Sequence, residues 1–195
     1  AEHEEHTEEG HEEEHHEEES HSEKGVDPHI WLSPENMQVM AKTITDNLST
    51  TYPEHEERFR NNFAEVNESL ENLHQSFRDN LNNCEKDTVL VNHNAFTYLA
   101  EAYGFSTITV SGLRPESEPT PQQLSHLIEE AQRHNLTHIF YEELADPRIV
   151  ETIAAEADLE VLELNPAAGT KNPNEDYVSI MRENLNNLEI ALHCR

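Results

Sequence analysis

Asp87-Thr88-Val89-Leu90-Val91-Asn92-His93-Asn94-Ala95-Phe96-Thr97-Tyr98-Leu99 decides the fold. Residues 87–91 form a short apolar, partly β-branched run that reads as a buried strand. Ala95–Tyr103 then reads as a helix, and Gly104 suits the left-handed residue that ends one. The alternation continues downstream. Ser106–Val110, Thr137–Tyr141 and Leu159–Leu164 read as strands, and Pro121–His134, Asp146–Ala157 and Asn174–His193 as helices. Strands alternating with helices predict a parallel, doubly wound α/β lobe over residues 85–195. In such sheets, functional groups gather beyond the carboxyl ends of the strands. His93 stands just past one strand, Glu142 and Glu143 past another, and Asn165 past a third.

Upstream of that lobe the period is helical throughout. Phe59, Phe63, Val66, Leu70, Leu73, Phe77 and Leu81 recur at steps of three and four, a narrow apolar stripe. This predicts a long connecting helix over residues 54–84, a spine lying across a domain. Before it, Ser33-Pro34 supplies an N-cap and a first-turn proline. The helix they open turns Met37, Met40, Ala41, Ile44 and Leu48 inward and is broken at Thr51-Tyr52-Pro53. Residues 25–53 thus hold a turn and this helix ahead of the spine.

Residues 1–24 contain six histidines (His3, His6, His11, His15, His16 and His21) and twelve glutamates. Such a run is expected to be disordered without metal. Imidazole suits zinc and its first-row neighbours, and carboxylates add charge attraction. A solvated acidic linker is the bland alternative. The run leads into Asp27-Pro28-His29-Ile30-Trp31, where Pro28 stiffens the turn. There Asp27 is placed to orient the His29 imidazole, and Trp31 to shield it from water. A histidine that merely packs in a turn is the alternative for His29, and a capping histidine for His93.

Composition narrows the functions open to the chain. Its formal charge is −29, from 41 acidic and 12 basic residues, and only four lysines occur. So acidic a surface argues against nucleic acid or anionic membrane as partner, because phosphate contacts need clustered Lys and Arg. It favours cations. No apolar run approaches the ~20 residues of a membrane span, and neither a signal segment nor an anchor is visible. Cys84 and Cys194 lie far apart and are not a zinc knuckle. They read either as a disulfide, suited to an oxidising compartment, or as two buried thiols. No nucleophile elbow, phosphate loop, HExxH or dinucleotide fingerprint is present.

Four features together resemble the zinc- and manganese-binding solute-binding proteins of ABC importers, the ZnuA-like family. A His/acid-rich loop precedes the D-P-H-x-W-L-S-P segment at Asp27–Pro34, and a long spine helix follows. Val91–Leu99 is similar to the family's (S/N)-H-x-A-F-x-Y-(L/F) segment, and Gly112–Thr120 to its G-x-x-P-E-x-E-P-(S/T) loop. The resemblance implies two α/β lobes joined by a rigid helix, with metal held between them, and it makes residues 25–53 the end of a first lobe that is largely missing. Carried over, it makes His29 and His93 ligands. It leaves the family's earlier first-lobe histidine without a counterpart. At the acidic position near the last strand this chain has Asn165, and Ala168 stands where some members have Glu. Water or Glu142 would then complete the shell.

The expectation is therefore a monomeric extracytoplasmic receptor, periplasmic or anchored at the cell surface. It would capture Zn2+, with Mn2+ as alternative, and pass it to the membrane permease of an ABC importer. It would not be an enzyme. A zinc-dependent hydrolase with an open position on His29, His93 and Glu142 is one rival, and it lacks an evident general base. A cell-surface adhesion module is another, and it would need long exposed apolar patches that the sequence does not reveal.

Overall fold

The computed structural model describes residues 26–111, 120–142, 147–169 and 172–195. The His/Glu run, most of the Gly112–Thr120 loop and Glu143 lie outside them. Among the described residues are six α-helices and four strands. Helices α1 (Pro34–Thr51) and α2 (Glu56–Asn80) come first, joined by a short 3-10 turn at Pro53–His55. Then follow β1 (Thr88–His93), α3 (Thr97–Tyr103), β2 (Ser106–Ser111), α4 (Pro121–Arg133), β3 (His138–Tyr141), α5 (Arg148–Ala157), β4 (Glu160–Glu163) and α6 (Tyr177–Leu192). All strand pairs are parallel, in the order β2-β1-β3-β4.

The sheet is covered on both faces, as its continuous apolar strands require. The pleat of β1 sends Val89 and Val91 into a core with α2, α3 and α6, and sends Leu90 to the opposite face against α4 and α5. β3 divides in the same way, with Phe140 on the first side and Ile139 on the second. This is the doubly wound α/β arrangement expected from the alternation. The chain leaves β1 for β2 on one side and then crosses back to β3 on the other. The topological switch point therefore lies between β1 and β3, where such sheets leave a crevice at their carboxyl ends.

Two local signals, Ser33 and Gly104, work as read, and two capping boxes join them. Ser33 caps α1 and accepts from the Asn36 amide. Gly104 closes α3 at φ +78°, a left-handed conformation that costs other residues more. Thr120 and Gln123 form a capping box at α4, and Asp176 and Ser179 form one at α6. Hydrogen bonding to Ser179 holds the Asp176 carboxyl below its ordinary range.

Three readings need correction. β1 does not stop before His93, because His93 still pairs in register with Ser111. α3 starts at Thr97 and not at Ala95, since a tight turn with the Ala95 amide on the His93 carbonyl comes first. The third concerns α1, whose inward face is only partly inward. Ile44 and Leu48 are 57% and 36% exposed, while Thr45 and Ser49 are buried. With Val39 and Val66 also exposed, α1 and the first half of α2 carry an apolar surface that the sequence did not reveal. On this side α1 packs along α2, with the start of α6 beside Met37 and Val66.

Cys84 and Cys194 form a disulfide. Around it the carboxyl terminus lies along residues 83–86, with backbone bonds from Glu85 to His193, Lys86 to Leu192 and Arg195 to Asn83. The bridge sits at the amino end of β1, opposite to His93.

Candidate metal centre

His93 is the last residue of β1 and is only 5% exposed. Glu142 follows β3 directly and is 7% exposed. Parallel pairing of β1 with β3 sets these two strand ends side by side. The His93 Nδ1 and the Glu142 Oε1 are hydrogen-bonded there, inside the crevice predicted by topology.

His29 reaches the same place from the N-terminal turn. It caps a 3-10 turn at Ile30–Leu32, anchored by the fully buried Leu32. Pro28 fixes its own φ and restricts Asp27. The Asp27 Oδ1 accepts both the His29 amide at 2.9 Å and the His29 Nδ1 at 2.7 Å. The other oxygen of Asp27 is buried and has no hydrogen-bond partner among the described residues. The imidazoles of His29 and His93 meet with ring centres 5.2 Å apart, inclined by 65°. Trp31 packs edge-on to His29, with ring centres 5.4 Å apart.

Two features make this pair suited to a metal. Each Nδ1 is held by a carboxylate, which fixes the tautomer and leaves the Nε2 lone pair available. The spacing also fits. Two imidazoles bound tetrahedrally to one zinc at Zn–N of about 2.0–2.1 Å set their ring centres roughly 5 Å apart. Glu142, read from the sequence as a ligand candidate, is engaged with the His93 ring. Asn165 is woven into a turn. Its amide donates to Asn184 Oδ1, its carbonyl accepts from Asn184 Nδ2, and its side-chain oxygen accepts from the Ala167 amide. It also borders a cavity of about 360 Å3 lined by Glu163, Glu175, Ser179, Ile180 and Glu183. Among the described residues no group of three or more His, Cys, Asp or Glu side chains encloses a metal. What the fold brings together is a pair of imidazoles, each with its Nδ1 on a carboxylate.

Sequence reasoning missed the groups that hold the His29 turn. Tyr98 Oη donates to the Asp27 carbonyl at 3.2 Å, Trp31 Nε1 to the Pro166 carbonyl at 2.8 Å, and Tyr177 Oη to the Trp31 carbonyl at 2.8 Å. Burial holds the Tyr177 phenol well above its ordinary range, so it stays a donor. No periodicity or spacing links positions this far apart. Of the other histidines, His74 hydrogen-bonds Tyr103, and His138 sits at the far end of the sheet, its pKa lowered chiefly by burial.

Known proteins agree with the fold. The family profile described as "Zinc-uptake complex component A periplasmic" matches residues 1–191. The chain is 33% identical over 194 residues to the zinc-binding protein AdcA of Streptococcus pyogenes serotype M18, covering 97% of this chain and 36% of that protein. It is 34% identical over 171 residues to the high-affinity zinc uptake system protein ZnuA of Bacillus subtilis, covering 86% and 54%. Among solved structures, the laminin-binding protein Lmb of Streptococcus agalactiae is described as bifunctional, with adhesin and metal-transporting activity. It superposes with a TM-score of 0.81 at 28% identity, over 86% of this chain and 65% of that one. The Zn(II)-bound ZnuA-like domain of Streptococcus pneumoniae AdcA gives 0.76 at 32% identity, over 86% and 64%. The chain thus spans about a third to a half of the length of these curated relatives. The profile match over nearly all its residues, with a parallel doubly wound sheet and a carboxylate-backed histidine pair at its switch point, makes the chain a member of the ZnuA family of zinc-uptake solute-binding proteins.

Proposed function

We propose that this chain captures Zn2+ outside the cytoplasm and presents it to the membrane permease of an ABC importer, acting as a monomer. The observation that carries the reading is the pair of imidazoles 5.2 Å apart, each with its Nδ1 on a carboxylate. Neutral imidazole donors favour zinc over manganese, which prefers a shell richer in carboxylate oxygen. Two histidines leave coordination positions open, which a further ligand of the whole protein would fill. The relatives named for zinc binding and zinc uptake support both the cargo and the permease partner. Capture also fits better than hydrolysis. Asp27 and Glu142, the carboxylates beside the pair, support imidazoles and are not placed as bases toward a bound water.

The His/Glu run at residues 1–24 adds a second, weaker class of binding that gathers the ion near the pair. Isothermal calorimetry separates the two. His93→Ala should abolish the tightest zinc site, whereas deleting residues 1–24 should remove only weaker binding. A tight site that persists unchanged in His93→Ala overturns the assignment.

A further inference from the structure

We infer that Trp31, Tyr98 and Tyr177 are positioning residues that fasten the His29 turn onto the body carrying His93, so that the two imidazoles meet the ion as a preset pair. The inference rests on reading His29 and His93 as the zinc ligands. It adds that their spacing is built into one rigid unit and is not assembled by the ion.

Three bonds tie a seven-residue stretch, residues 27–33, to three separate elements. Asp27 is held at its carbonyl by Tyr98 of α3. Trp31 is held on both sides, its indole donating to Pro166 after β4 and its carbonyl accepting from Tyr177 at the start of α6. His29 lies between these fixed points. Its own backbone is closed by the turn in which Leu32 N bonds to its carbonyl at 3.2 Å, and its ring by Asp27 at 2.7 Å. Trp31 and Tyr177 also pack against the core that contains Leu32, Phe96 and Leu164.

The consequence is energetic. A half-site with few ligands loses much of its affinity if one ligand must first be ordered. Holding the turn before the ion arrives removes that cost. The clasp residues touch no metal. They act through the His29 position, and their loss should therefore weaken binding without abolishing it.

The test uses the full chain, zinc alone as ligand, and competition with a chelator. Tyr177→Phe deletes one hydroxyl and keeps the ring, and Trp31→Phe deletes the indole donor. Each should weaken zinc about tenfold, the lower end of what loss of outer-shell support costs. Tyr98→Phe, which removes the longest of the three bonds, should cost less, and it keeps the test open should Trp31→Phe fail to fold. Tyr103→Phe is the control. It deletes another half-buried phenol, bonded to His74 outside the clasp, and should leave zinc affinity unchanged. Trp31 is the only tryptophan, so its fluorescence reports from within the turn. Zinc should change its emission in the parent chain and less so in Tyr177→Phe. Parent-like affinity in both Tyr177→Phe and Trp31→Phe, with binding lost in His93→Ala, overturns the clasp and leaves the ligand pair standing. Parent-like binding in His93→Ala overturns the pair itself, and the clasp with it.

Discussion

At the scale of single residues, the site depends on which atom of a carboxylate meets which nitrogen. Glu142 shows this. From sequence it is an acid beyond a strand end, equally able to ligate metal or to support a ligand. In the fold it accepts on the Nδ1 side of His93, away from the free Nε2. Glu142→Ala should then lower zinc affinity by about 10–100-fold, the range found when an outer-shell partner of a ligating histidine is lost. A direct ligand would instead behave as His93→Ala does, and calorimetry on the two variants side by side tells the roles apart. The stiff turn at His29 and the strand-end place of His93 were legible, because Pro28 and a strand end are local signals. Tyr98 and Tyr177 were not, since their partners lie 71 and 146 positions away in sequence. Only the folded chain brings a phenol to a distant carbonyl.

At the scale of elements, the long α2 shows what periodicity can and cannot tell. Its six apolar positions, continued by Leu81 at its C-cap, form one uniform stripe in sequence. In the structure the stripe divides. Leu73 and Phe77 are buried against the sheet side with α3 and α6, Leu70 is buried at the level of Met37 and Tyr177, and Val66 is 48% exposed beside α1. The spacing fixes which face is apolar, and it says nothing of whether another layer exists to meet that face. The same limit explains Ile44 and Leu48 of α1. Stability should follow burial and not pattern. Phe77→Ala empties a fully buried site and should cost about 3–5 kcal/mol, the usual loss for a core aromatic. Val66→Ala should cost well under half of that. Urea unfolding of both variants, read as midpoint at constant slope, measures the difference. Equal losses would mean that Val66 is covered in solution by something beyond the described residues.

At the scale of the whole molecule, the two ends of the sheet carry separate duties. The histidine pair gathers at the carboxyl ends of β1 and β3. The Cys84–Cys194 bridge closes the amino end of β1, across a loop of 110 residues. The alternation of strands and helices foretold at which end of the sheet His93 and Glu142 would gather. The pairing of the two cysteines was left open between bridge and free thiols, because their nearness depends on α6 returning along residues 83–86. Joining positions so far apart restricts the unfolded chain. In the chain-entropy account a loop of this length adds about 4–5 kcal/mol of stability. The folded state has other ties in the same place, since backbone bonds still join the carboxyl terminus to residues 83–86. The paired change Cys84→Ser with Cys194→Ser should therefore lower the unfolding free energy by several kcal/mol and keep the fold. A six-residue strand at roughly 3.3 Å per residue separates the bridge from His93. Zinc affinity, measured well below the unfolding midpoint, should accordingly match the parent chain. A loss of affinity in the folded double variant would show that the far end of the sheet is coupled to the histidine pair, and that the two ends do not act independently.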